Sequence, residues 1–96
     1  MTNLGVELKE LFEFLETNHE IEFSYHGRTY SMEGDSAKAG GIELVMYQCS
    51  PQVLCLCRIP VGNNRKKAVE RLLSEKCLNG KSFLDLVDEI HVDEIF

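Results

Sequence analysis

Ninety-six residues with 44% hydrophobic side chains suffice for one domain with a single core, expected over residues 1–96 without metal or disulfide staples. The net charge of −6 disfavours general binding to nucleic-acid backbones, which needs Lys and Arg to displace counterions. No apolar run reaches the ~18–20 residues of a membrane span, and Met1-Thr2-Asn3 lacks the basic start of a signal peptide, so the cytoplasm is the expected compartment.

Residues 4–17 have the periodicity of an amphipathic helix. Leu4, Leu8, Leu11, Phe12 and Leu15 follow one stripe, while Glu7, Lys9, Glu10, Glu13 and Glu16 face away. Thr2 or Asn3 suits its start and Asn18 its exit. The short link Thr17–His19 then folds the helix back across the next element.

That element is Glu20–Glu33, EIEFSYHGRTYSME, which reads as a β-hairpin turning at His26-Gly27. A two-residue turn pairs Tyr25 with Arg28, Phe23 with Tyr30 and Ile21 with Met32, all on one face. Ser24–Thr29, Glu22–Ser31 and Glu20–Glu33 then share the other. A three-residue turn would mix apolar and polar residues on both faces, so the two-residue register is expected.

Residues 34–41, GDSAKAGG, read as a flexible strand connection; no phosphate-loop spacing is present. A second hairpin follows, Ile42–Cys49 with Leu54–Val61. Pro51 excludes a primed turn and suggests a four-residue type I turn. Closure at Cys49–Leu54 pairs Met46 with Cys57, Leu44 with Ile59 and Gln48 with Cys55 toward the core. The opposite face then carries Val45, Tyr47, Cys49, Leu54 and Leu56, which would make an apolar patch large enough to have a use.

Asn63 or Asn64 opens a helix to about Lys76, with Val69, Leu72 and Leu73 inward and Arg65, Lys66, Lys67 and Arg71 outward. That basic run could meet phosphates, a partner's acids or the chain's own Glu-rich helix. Asn79-Gly80 ends this stretch. Ser82 and Asp85 form a capping box for a third helix, 82–89. Residues 90–96 alternate like a last strand, with helix continuation as the alternative.

The expected architecture is α+β. Two β-hairpins form a four-stranded, mainly antiparallel sheet, with residues 90–96 as an optional fifth strand and about three helices on one face. EIEFSYHGRTYSM and the terminal NGKSFLDLVDEIHVDEIF resemble a group of small bacterial and prophage-encoded proteins with an EIEF-Y-G--Y hairpin and a GKS------EI-V tail. The resemblance implies a small cytoplasmic α+β protein and brings no activity and no site residues.

Chemistry is sparse. Cys49, Cys55, Cys57 and Cys77 are expected as free thiols, with Cys77 the most exposed. Cys55 and Cys57 would share one strand face without the knuckle of a zinc site, and full pairing of four Cys has three solutions. No catalytic residue, cofactor or metal is assigned. The expected function is a non-enzymatic interaction or regulatory module, using Val45, Tyr47, Leu54 and Leu56 toward a protein partner or a second copy of the chain. The alternatives are an acidic inhibitor or nucleic-acid-mimicking decoy of mobile-element origin, acting through Glu20, Glu22, Glu33 and Glu43, and a Cys-dependent metal or redox protein. Neither membrane nor nucleic acid is expected as a partner.

Overall fold

The computed structural model describes residues 4–96. The element order is α1 (Leu8–Glu16), β1 (Ile21–Tyr25), β2 (Arg28–Ser36), β3 (Ile42–Ser50), β4 (Leu54–Pro60), α2 (Arg65–Ser74), one 3-10 turn (Leu84–Leu86) and β5 (His91–Ile95). The strands make one antiparallel sheet in the order β4-β3-β2-β1-β5. Four strands run as a meander. The stretch carrying α2 then crosses the inner face and delivers β5 beside β1. The fold is therefore α+β: among the described residues the optional fifth strand is formed by His91–Ile95, and there are two α-helices rather than about three.

The first hairpin has the register its alternation dictates: Ile21 faces Met32, Phe23 faces Tyr30 and Tyr25 faces Arg28. His26 and Gly27 both have positive φ (49° and 76°), as a primed two-residue turn requires. Phe23 stacks on Tyr30 at 5.1 Å between ring centroids and meets Phe83 edge-on at the same distance. Ile21, Phe23, Met32, Leu44 and Met46 line the sheet's inner face, with Leu11 and Leu15 of α1 and Val69, Leu72 and Leu73 of α2 buried in the same core. Each such large apolar side chain contributes about 2 kcal/mol relative to exposure.

Helix α1 starts later than its periodicity predicts. Gly5 has φ +90°, outside the helical region, and a Cβ there would lie 3.0 Å from the His91 ring. Leu4 nevertheless joins the core, and its carbonyl accepts from Val92 N at 2.8 Å. Glu7 occupies the cap position without a side-chain bond, and Thr2 and Asn3, expected as caps, lie outside the described residues. At α2 the expected cap is Asn64, whose Oδ1 accepts from Lys67 N at 3.1 Å. Arg65 does not point freely outward. Its Nε donates to the Leu15 carbonyl at 2.9 Å and its Nη2 to Asn18 Oδ1 at 3.3 Å, a cation tying α2 to the C-terminal end of α1.

The expected third helix is one 3-10 turn. Its capping box is present all the same: Ser82 N donates to Asp85 Oδ2 at 3.0 Å, and Asp85 N to Ser82 Oγ at 3.1 Å. The glycine-rich connection is also shorter than expected. Strand β2 continues through Gly34 to Ser36, pairing Gly34 with Leu44, and residues 37–41 close with Ala37 N donating to Gly41 O.

The second hairpin departs from simple alternation. Met46–Cys57 and Leu44–Ile59 pair as expected, but Tyr47 pairs with Cys55 and Gln48 with Leu54. Leu56 is the extra residue of a β-bulge. A second irregularity between Thr29 and Tyr30 leaves Cys49 without a partner on β2. Pro51–Val53 form the connection, and the Ser50–Pro51 bond is cis. Among the described residues no helix is long and apolar enough to cross a membrane.

Candidate functional site: an acidic sheet face and a cysteine-lined cavity

Strand alternation sends Glu22, Ser24, Ser31, Glu33, Asp35, Glu43, Val45 and Tyr47 to the face turned away from the helices. Glu94 pairs with Glu22 across β1 and β5, and Asp93, the extra residue at a bulge, accepts from Ser24 Oγ at 3.2 Å. Glu20 hydrogen-bonds the Glu33 carboxyl. The four expected acids, Glu20, Glu22, Glu33 and Glu43, are thus brought onto one surface. Asp35, Asp93 and Glu94 join them, which their spacing in the chain did not reveal.

The electrostatics of this face follow from like charges held close on a rigid sheet. The hydrogen bond with Glu20, aided by partial burial and repulsion from Glu20, Asp35 and Glu22, raises Glu33 to about 7. The Glu33 carboxyl therefore holds its proton close to neutral pH. Glu22 is also raised, by desolvation and then by Glu20, Glu94 and Asp93. At the β4 end Arg58 offsets part of the charge. Its Nη1 lies 3.4 Å from Asp35 and 3.3 Å from Glu43, and its Nη2 donates to Tyr47 Oη at 3.1 Å. Tyr47 Oη in turn donates to Asp35 Oδ2 at 3.2 Å. Partial burial and this acceptor raise the Tyr47 phenol above its usual range.

The apolar patch expected from Val45, Tyr47, Leu54 and Leu56 is not a single surface. Val45 is fully buried, between Glu33 on β2 and Arg58 on β4. Tyr47 is half-buried in the polar cluster just described. The β4 bulge turns Leu56 to the inner side, where it packs against the core, and Leu54 follows opposite Gln48. One inserted residue reverses the facing of everything beyond it, so alternation counted through it misplaces Leu54 and Leu56.

Leu54 and Leu56 line an inner-face cavity of about 180 Å³ together with Tyr25, Arg28, Tyr30 and Cys77. Gln48 also reaches it. Its Oε1 accepts from Arg28 at 3.4 Å and its Nε2 donates to the Gln52 carbonyl at 2.9 Å. The same bulge separates Cys55, exposed on the outer face, from Cys57, packed against the core. Cys77 is half-buried, correcting its expected exposure, and the exposed thiols are Cys49 and Cys55. Cys57 and Cys77 are brought to 3.4 Å between sulfurs, a pairing across twenty residues that no local motif signals.

The histidines are placed apart. His19 bonds Thr17 Oγ1 at 3.0 Å, His26 stacks on Tyr25 and meets Glu89 at 3.2 Å, and His91 lies against Gly5. Among the described residues no group of three His, Cys, Asp or Glu side chains is arranged to hold a metal ion. Compared with protein-family models, curated proteins and solved structures, the chain finds no match.

Proposed function

We propose that the protein is a non-enzymatic interaction module whose open sheet face docks a basic surface of a partner protein. The observation that carries this reading is the gathering of seven carboxylates, from Glu20, Glu22, Glu33, Asp35, Glu43, Asp93 and Glu94, on the face without helices, with Arg58 at one border. The hydrogen bond with Glu20 at Glu33 and desolvation at Glu22 raise these carboxyls first, and repulsion from the neighbouring acids adds to both. Acids gathered against that repulsion suit a function of attraction better than one of solubility. A flat face also suits a protein partner rather than a small substrate. The inhibitor or decoy reading belongs to the same surface, with a nucleic-acid-binding protein as the partner.

The test compares two charge reversals of equal size. Glu22→Lys/Glu94→Lys alters the sheet face, and Glu10→Lys/Glu13→Lys alters exposed positions of α1. Binding of a fluorescent lysine-rich peptide is followed by anisotropy at low and physiological salt. The expected result is an affinity that falls about tenfold with salt and with the sheet-face variant, while the helix variant keeps most of the wild-type affinity. Equal losses from both variants would reduce the effect to net charge and sink the proposal. A nucleic-acid-binding partner would be identified by competition with DNA.

A further inference from the structure

The Cys57 and Cys77 sulfurs lie 3.4 Å apart on two elements that the fold, rather than the local chain, brings together. Cys57 projects inward from edge strand β4, opposite Met46. Cys77 belongs to the irregular segment between α2 and the Leu78–Lys81 bridge, anchored by its own N–H to the Glu75 carbonyl at 2.9 Å. Met46 Sδ, fully buried, stands 3.7 Å behind Cys77. The two thiols are not equivalent. Cys77 forms part of the wall of the 180 Å³ cavity, whereas Cys57 does not line it.

We propose that Cys57 and Cys77 form a reactive dithiol, a modification site at which hydrogen peroxide entering through the cavity oxidises Cys77 and Cys57 resolves the product to an intramolecular disulfide. The sulfurs are already in van der Waals contact, so bond formation requires a small approach of an irregular segment and no rearrangement of the core. The ionisation preference runs the same way. The hydrogen bond between the two thiols lowers Cys77, while the same bond and burial raise Cys57, so ionisation of the pair favours the residue that lines the cavity.

In the first step the Cys77 thiolate attacks one peroxide oxygen. The O–O bond breaks, the departing hydroxide takes up the proton Cys77 released and leaves as water, and Cys77 becomes a sulfenic acid. In the second step Cys57 gives up its proton and its sulfur attacks the Cys77 sulfur. The S–O bond breaks, and the departing hydroxide takes that proton to leave as water. Two thiols lose two electrons and two protons in total, and one peroxide becomes two waters. The disulfide ties β4 to the segment after α2, beside the cavity wall that Cys77 supplies.

The experiment treats the reduced full chain with equimolar hydrogen peroxide, alkylates remaining thiols after unfolding, and maps the products by mass spectrometry. The expected result is a monomer in which half of the four thiols are protected, with one cross-linked peptide pair joining Cys57 to Cys77. Its thermal midpoint should rise by roughly 10 °C. Cys57→Ser should stop at the sulfenic acid, captured on Cys77 by dimedone, and Cys77→Ser should leave Cys57 unmodified. Circular dichroism checks that both variants fold. Four alkylatable thiols after treatment, cross-links through Cys49 or Cys55 instead, or dimedone capture on Cys57 would each overturn the proposal, and the wild-type map decides it even where a variant fails to fold.

Discussion

Tyr47 stands opposite Cys55 rather than Leu56, and this one-residue offset decides which face of the sheet is greasy and which is charged. Leu56 becomes core, and Tyr47 becomes the hub that takes a hydrogen bond from Arg58 and gives one to Asp35. Leu56→Glu should accordingly destabilise the fold by about 2–3 kcal/mol, because it drives a charge toward the core. Tyr47→Phe, which keeps the ring and removes only the two exposed hydrogen bonds, should cost less than about 1 kcal/mol. Urea unfolding of both variants checks this. A Leu56→Glu protein as stable as wild type would place Leu56 in solvent.

The Glu20–Glu33 pair makes stability depend on pH near neutrality. Glu33 titrates at about 7 in the folded chain against 4.5 for an unperturbed carboxyl. Its folded state holds the proton more tightly, so its contribution is full below about 4.5 and is lost as pH rises through 7. Glu33→Gln retains a donor toward Glu20 without the charge. The variant should gain about 1 kcal/mol over wild type at pH 8, allowing for solvent screening, and match it near pH 4.5. Parallel urea midpoints across that range for the two proteins would contradict the raised Glu33 carboxyl.

The box at Ser82 and Asp85 acts in the opposite direction. Hydrogen bonds from the Ser82 backbone, then Lys76 Nζ at 3.1 Å and the Ser82 side chain, hold Asp85 down at about 2. Its contribution is present above the ordinary value of 3.8 and is lost as pH falls through 2. Asp85→Ala should abolish that segment of the acid-unfolding profile. Ser82→Ala, at a buried position, should cost about 1 kcal/mol at neutral pH. An unchanged acid transition in Asp85→Ala would show that the carboxylate is not held.

Gly27 isolates a pure backbone effect. It has φ +76°, and an added Cβ would meet no atom within 4 Å. Gly27→Ala should cost about 1 kcal/mol, the left-handed penalty alone, with the strand register intact. Thermal unfolding measures the cost, and unchanged cross-strand NOEs between Phe23 and Tyr30 report the register.

The turn residues, the cap at Asn64, the Ser82–Asp85 box and the register of Ile21 on Met32 were legible in the chain because each depends on neighbours a few residues apart. Apolar alternation around a two-residue turn admits one pairing that keeps Phe23 and Tyr30 on the same side. Four of the acids were legible too, since the same alternation sends Glu20, Glu22, Glu33 and Glu43 outward. The start of α1 was misread because Gly5 takes a positive φ to pass His91 closely, a constraint set by a residue near the other end of the chain. The helix expected over 82–89 shrank to a single turn, with the chain diverted into β5 beside β1.

What sequence alone determined, then, is local: the strands, the His26-Gly27 turn, the cap at Asn64, the Ser82–Asp85 box and the facing of the first hairpin, all governed by short-range geometry and a period of two. Tertiary structure decided where that period breaks. The bulge opposite Met46–Tyr47 moved Leu54 and Leu56 from the outer face to a cavity and separated Cys55 from Cys57. The crossing through α2 set β5 against β1, adding Asp93 and Glu94 to the acidic face, and brought Cys77 to Cys57. These depend on packing between distant segments, where an extra residue costs little locally and is selected by the neighbours it allows to meet.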